Sequence, residues 1–301
     1  MTDATKPSLS NDAAAAITPQ AESPAREAWR MFLRNRSAIL GLALLAAIII
    51  VTIAGPYIYP VDPFEVVWAP FTPPNTEAVV PLGTDHIGRD ILAGLVHGGQ
   101  ATLAVGTSTA LMTVIIGVMI GALAGFYGGW IEEILMRITE FFQVLPPLIL
   151  AMVLVAVFTP SLYTIAIAIG LVSWPSTARL TRAEFLRIRE LEYVKAARTI
   201  GSTNNRLIWK VILPNALPPL IISATLVIGV AILFEAGLSF LGLGDPNVMS
   251  WGLMIGASRE YIIDSWWSAT FPGFAIFLTV LSVSLIGDGL NDALNPKLRE
   301  R

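Results

Sequence analysis

The chain has 301 residues, 54% of them hydrophobic and 14% charged, where a soluble domain carries roughly 25% charged residues. Its mean hydropathy is +0.68 and its apolar residues come in long blocks, which excludes an ordinary soluble domain and implies a polytopic membrane protein. The 19 Lys and Arg nearly balance the 22 Asp and Glu, so no overall positive field draws nucleic acid; no Cys and two His exclude disulfides, a thiol nucleophile, thiolate metal sites and an all-histidine metal site within one chain.

Residues 1–25 are rich in Ala, Ser, Thr, Asp and Pro and have no apolar periodicity, which predicts a disordered cytoplasmic tail. A secretory signal would place its apolar core near the start, whereas the first apolar block begins at Ala38; it is read as an uncleaved span over 38–59. Just before it, 26–37 interleaves Arg26, Arg30, Arg34 and Arg36 with Trp29, Phe32 and Leu33. That pattern fits an amphipathic helix on anionic membrane lipid, and equally a basic cluster that orients the span.

An external loop follows over 60–100, with a short helix over 83–99 that Thr84 and Asp85 would cap. His86 and His97 lie 11 residues apart in it, about 16 Å along a helix, too far to share a metal ion. Five further spans are predicted over 101–127, 139–158, 161–176, 216–241 and 269–287, which makes 101–301 a five-helix core. With the N-terminus inside, 17 of the 19 basic residues fall in cytoplasmic segments, and only Arg89 and Arg259 lie outside. This bias supports six spans with both termini in the cytoplasm.

Within the spans, Gly117, Gly121 and Gly125 recur every four residues and leave one helix face bare for close packing. Pro146 and Pro147 interrupt the third span, Pro175 is expected to end the fourth, and Pro214, Pro218 and Pro219 enter the fifth. Each removes a backbone donor, so such helices bend, either in simple packing or beside a cavity. Apart from Glu140 at the edge of the third span, Glu235 is the one carboxylate in an apolar block, near the outer end of span five. Burying its charge would cost several kcal/mol unless it is paired, protonated or wetted. Glu235, Pro146 and Pro147 are therefore the candidates for pore or gate residues.

The cytoplasmic segment 177–215 is polar yet periodic. Tyr193, Ala196, Ala197 and Ile200 make one apolar stripe, and Leu207, Ile208, Val211 and Ile212 make another. Gly201 stops the first helix and Pro214 follows the second, so two short helices are expected to meet at a glycine turn. The stripes could pack on the protein's own spans or offer a shallow surface to a partner.

The motifs here resemble a known family. EYVKAARTIG over 192–201, followed by ILPN over 212–215, is similar to the cytoplasmic EAA loop of ABC importer permeases. LGTDHIGRD (82–90), EAGLSFLGLG (235–244), SWG (250–252) and GDGLNDALNPKLR (287–299) look like the C-type permeases of dipeptide, oligopeptide and nickel importers. The resemblance implies an all-α type I ABC importer permease of six transmembrane helices in a bacterial inner membrane. It also implies a second, homologous permease, two ATP-binding subunits that carry ATP and Mg, and an external substrate-binding protein. The positions it assigns to ATPase coupling are Tyr193, Lys195, Ala196, Ala197, Gly201, Leu213 and Pro214. Lys195 stands where the motif usually has glutamate, which suggests a charge-swapped partner.

One reading is independent of that likeness. A phosphate-binding loop needs Lys after Gly, and Lys6, Lys195, Lys210 and Lys297 follow Thr, Val, Trp and Pro. No such loop exists, so ATP would be handled by another polypeptide, and this chain is expected to bind no cofactor and catalyse no reaction. An ion-coupled secondary transporter is the alternative, but two related halves and midplane ionisable groups are not evident. An intramembrane enzyme fails because both histidines fall in the external segment and no Asp lies in an apolar block. The resulting expectation is alternating access driven from the inner elbow.

Overall fold

In the computed structural model, residues 24–294 are described. The tail expected over 1–25 lies almost entirely outside them, as do the C-terminal basic residues and the end of the 287–299 motif. All regular elements among the described residues are helical: α1 Pro24–Arg34, α2 Arg36–Ile58, α3 Ile91–Tyr127, α4 Gly129–Val144, α5 Pro147–Val157, α6 Leu162–Arg189, α7 Glu192–Thr199, α8 Asn204–Arg206, α9 Leu213–Leu238, α10 Trp251–Ser258 and α11 Trp266–Leu294. Leu207–Ile212 and Ser239–Leu243 are π-helical and join α8 to α9 and extend α9, so that Asn204–Leu243 is one long element.

By length and hydropathy, α2, α3, the Asn204–Leu243 element and α11 can each cross a bilayer, and α4 with α5, bent by 84°, passes the same test only as a pair, as a broken span or a re-entrant loop. The remaining expected span, 161–176, falls in the first half of α6, a 28-residue helix that is not among these because its apolar stretch gives way to polar residues after Val172. It packs closely on α3. A Cβ on Gly117 would lie 2.6 Å from Thr177 Cβ, one on Gly121 2.3 Å from the Ala178 carbonyl, and one on Gly125 2.6 Å from Phe185 Cβ. The glycine stripe thus lets two helices meet at backbone distance.

Several boundaries differ from expectation. The helix expected over 83–99 is not a separate element, because α3 runs unbroken from Ile91; Asp90 caps it, accepting from Leu92 N at 2.7 Å, while Thr84 and Asp85 bond within the loop. Pro175 does not end its helix. It is buried mid-way along α6, which continues to Arg189, so the first third of the expected loop 177–215 is the C-terminal part of a long helix. Pro214 likewise does not close a short helix: the π-turn carries Leu213 N onto Ile208 O, and the Asn215 side-chain amide donates to Val211 O at 2.6 Å, so the chain passes straight into α9.

The segment 60–90 is folded against the bundle. The Tyr59 hydroxyl donates to Asp90, His86 stacks on Tyr261 with centroids 4.5 Å apart, and Trp267 Nε1 donates to Thr84 O at 3.0 Å. His97 lies in α3, its Nδ1 3.0 Å from Ala93 O. At the other end, Phe32 of α1 is buried with Ala38 and Ala293, so α1 leans on α11 with Trp29 and Leu33 outward.

Candidate functional site

The elbow forms where α6 gives way to α7. Val194 is buried with Phe126, Phe185, Ile188, Leu207, Ile208 and Ile212, and it anchors α7 to the bundle. Arg198 adds a second tie, its guanidinium 5.7 Å above the Phe126 ring. Glu192 at the first turn and Arg198 at the last also suit the helix dipole. The chain then reverses at Gly201, whose φ is +87°; Ser202 N donates to Ala197 O at 3.1 Å and Gly201 N to Arg198 O at 3.0 Å. These are the paired bonds of a Schellman cap, which needs the left-handed conformation that glycine adopts without strain.

The two apolar stripes have different fates. Leu207, Ile208 and Ile212 are buried and Val211 and Leu213 half-buried in the same cluster as Val194, so the second stripe packs on the protein itself. The first stays open: Tyr193 and Ala196 are exposed, Ala197 is half-buried, and Ile200 is 84% exposed. Gly201 and Pro214 are also exposed. Lys195 is exposed, with its ammonium 3.6 Å from Glu190 and 3.8 Å from Glu192, so it sits among local carboxylates.

A second feature lies deeper. At Leu145 and Pro146 the backbone leaves the helix, and the bend opens a cavity of about 620 Å³ between α4, α5, α6 and α9, bordered by Phe142, Pro147, Val172, Val227, Val230 and Phe234. Pro147 lines it; Pro146 stands exposed at the break beside it.

Glu235 is elsewhere. It is fully buried between α9 and α10, its Oε1 accepting from Ser239 Oγ at 3.0 Å and Ser250 Oγ at 2.7 Å, with Oε2 unpartnered among the described residues. Gly252 permits this approach, since a Cβ there would lie 3.0 Å from Oε1. Next to it, Trp251 N donates to Thr102 Oγ1 at 3.2 Å and Trp251 Nε1 to Leu95 O at 2.8 Å, which ties α10 to α3.

Residues 117–300 match the family described as binding-protein-dependent transport system inner membrane component. The chain belongs to this family. As a member it is a membrane-embedded permease subunit of an ABC importer, a class of systems that works with ATP-binding and substrate-binding partners. Residues 23–75 match the N-terminal TM domain of oligopeptide transport permease C. The permease is 40% identical over 284 residues to the di/tripeptide transport system permease protein DppC of Pseudomonas aeruginosa, covering 92% of this chain and 93% of that one. It is also 40% identical over 285 residues to the dipeptide transport system permease protein DppC of Alkalihalophilus pseudofirmus, covering 93% and 92%. Among solved structures, its fold is similar to a chain of the inward-facing MetNI methionine ABC transporter, with a TM-score of 0.55, 21% identity and coverage of 67% of this permease and 96% of that chain.

Sequence reasoning missed several residues at these sites. Ser239 and Ser250 hold Glu235, and Glu132 accepts from Arg182 Nε at 2.6 Å, joining α4 to α6. Arg189 donates to the Gly125 carbonyl at 2.8 Å, closing the end of α3. Arg179 borders the cavity and was legible only as one basic residue of a cytoplasmic segment.

Proposed function

We propose that this permease forms half of a translocation path for short peptides, beside a second, homologous permease. An external binding protein delivers the cargo, and two separate subunits bind and hydrolyse ATP with Mg. Both termini face the cytoplasm, and this chain holds no cofactor. The names of the relatives support the cargo; the absence of a phosphate-binding loop supports the division of labour.

The observation that carries the reading is the open face of α7. An isoleucine exposed to 84% beside Tyr193 and Ala196, on a helix anchored from behind by Val194, is an apolar patch without a partner among the described residues. We assign it to a groove of the ATP-binding subunit, with Lys195, Ala197, Gly201, Leu213 and Pro214 framing the contact. A push on α7 reaches the inner end of α6 and the start of α9 through the cluster around Val194, and both helices border the cavity. Their tilt would open the path to one side and then the other.

Replacing Ile200 with Glu places a charge in this contact without touching the buried cluster. The variant is expected to enter the membrane normally and to lose co-purification of the ATP-binding subunits by roughly 30-fold in affinity, as for a loss of about 2 kcal/mol at an interface anchor. Undiminished co-purification with undiminished uptake would refute the docking. Uptake that survives a proton ionophore and stops on ATP depletion separates this reading from an ion-coupled carrier; the reverse result would overturn it.

A further inference from the structure

α6 carries four arginines, and three have partners among the described residues: Arg182 pairs with Glu132, Arg187 with Glu184, and Arg189 with Glu190 and the terminal carbonyls of α3. Arg179 forms no hydrogen bond, ion pair or ring contact with any described residue, and it is exposed on the wall of the 620 Å³ cavity. Among the described residues, no acidic side chain lines that cavity. Its other polar groups are neutral: Gln143, Ser173, Ser176 and Ser223. The remaining wall is apolar, including Phe142 and Phe234. A mostly apolar hollow of this size with a few convergent polar groups has the character of a small-molecule site.

We propose that this cavity is a transient binding site within the permease for a solute bearing a carboxylate, with Arg179 as the specificity-determining residue. The inference deepens the peptide reading and rests on it: the group recognised is the C-terminal carboxylate of the peptide. A guanidinium presents a fork of donors that matches a carboxylate in two parallel hydrogen bonds. The serine hydroxyls and Gln143 amide offer partners to peptide N–H and C=O groups, and the apolar wall accepts small side chains. A peptide's N-terminal ammonium finds no counter-charge here. The unpaired cation therefore orients the cargo as well as attracting it, and it removes part of the cost of passing a carboxylate through a low-dielectric path.

The test uses the complete transporter in proteoliposomes, with its binding protein and ATP-binding subunits. The substrates are trialanine, its C-terminal amide and N-acetyl-trialanine, each supplied at a concentration that gives equal occupancy of the binding protein. In the unmodified complex, maximal uptake of the free acid should exceed that of the amide by roughly tenfold, as one charge-assisted contact allows, and N-acetylation should leave the acid's advantage intact. Arg179→Gln should lower uptake of both carboxylate-bearing peptides by the same factor and leave the amide unchanged, erasing the preference.

Equal rates for acid and amide in the unmodified complex would overturn the proposal without any variant. So would an Arg179→Gln complex that assembles and loses acid and amide uptake equally, the result expected if Arg179 instead holds a lipid phosphate or an acidic group of the second permease. An unchanged preference in that variant also overturns it. Failure of all three peptides to enter the unmodified vesicles would refute the peptide reading itself, which keeps the two failures distinct.

Discussion

Ser250 donates its hydroxyl hydrogen to Glu235 Oε1 at 2.7 Å and accepts the N–H of Leu253 at 3.0 Å, so one hydroxyl joins a buried carboxyl group of α9 to the first turn of α10. Glu235→Gln keeps the oxygen that both serines use. It is expected to leave the melting of the purified complex within about 1 kcal/mol of the original. Glu235→Ala leaves two buried hydroxyls without their acceptor and opens a cavity, costing about 2–4 kcal/mol. Uptake by the Gln variant equal to the original at every pH where the complex stays assembled would remove the charge of Glu235 from the mechanism. Lost uptake in a complex of normal stability would place it there.

The turn at Gly201 has a φ of +87° with nothing within 4 Å of where a Cβ would stand. The constraint is therefore conformational, not steric. Gly201→Val should cost about 1–2 kcal/mol through the left-handed backbone and reduce ATP-driven uptake or complex yield, while Gly201→Asn, which tolerates that region, should approach the original. Normal yield and normal uptake for Val would show that this turn does not set the lever.

Two glycines offer a controlled comparison of close packing. A Cβ on Gly121 would meet the Ala178 carbonyl at 2.3 Å, whereas one on Gly237 would have Leu148 Cδ1 at an ordinary 3.9 Å. Gly121→Ala is expected to push α3 off α6 and destabilise by about 1–3 kcal/mol. Gly237→Ala should be neutral or stabilising by up to about 1 kcal/mol, since alanine favours helix. Thermal melting of both variants decides; equal melting would mean that the two helices do not meet as described.

Tyr59 ties the end of α2 to Asp90 at the start of α3. Burial, and then the hydrogen bond and charge of Asp90, push its phenol well above the usual tyrosine range. The folded pKa thus exceeds the unfolded one. The stabilisation is fully present below about pH 10, the unfolded value, and is lost as pH rises beyond it. Alkaline titration of stability should therefore be shallower in Tyr59→Phe than in the original, and an identical slope would show that this phenol contributes nothing.

The apolar blocks were legible because lipid demands runs of apolar residues, a signal that needs no tertiary information. Their ends were not. Asp90, rather than Thr84, starts α3 because backbone folding of 60–90 takes the Thr84 hydroxyl for Ala69 O at 2.7 Å, a contact 15 residues away that no local cap rule foresees. Pro175 and Pro214 read as stops because a proline breaks an isolated helix, yet Pro175 is itself buried within a continuous α6 and a π-turn carries the chain into α9 at Pro214. At the elbow, both stripes were visible as period and only folding could tell the buried one from the open one. Arg179 was counted with the cytoplasmic charges; a count has no direction, and its position on the cavity wall depends on the bend in another helix.

The glycine stripe of α3 and the Arg189 clamp on its last carbonyls have a joint consequence. Two helices that meet backbone to backbone and are pinned at one end cannot slide without breaking both contacts, so α3 and α6 travel as one plank. Compliance then falls to the sharp corner at Leu145 and Pro146, where two helical segments 84° apart share a short non-helical hinge.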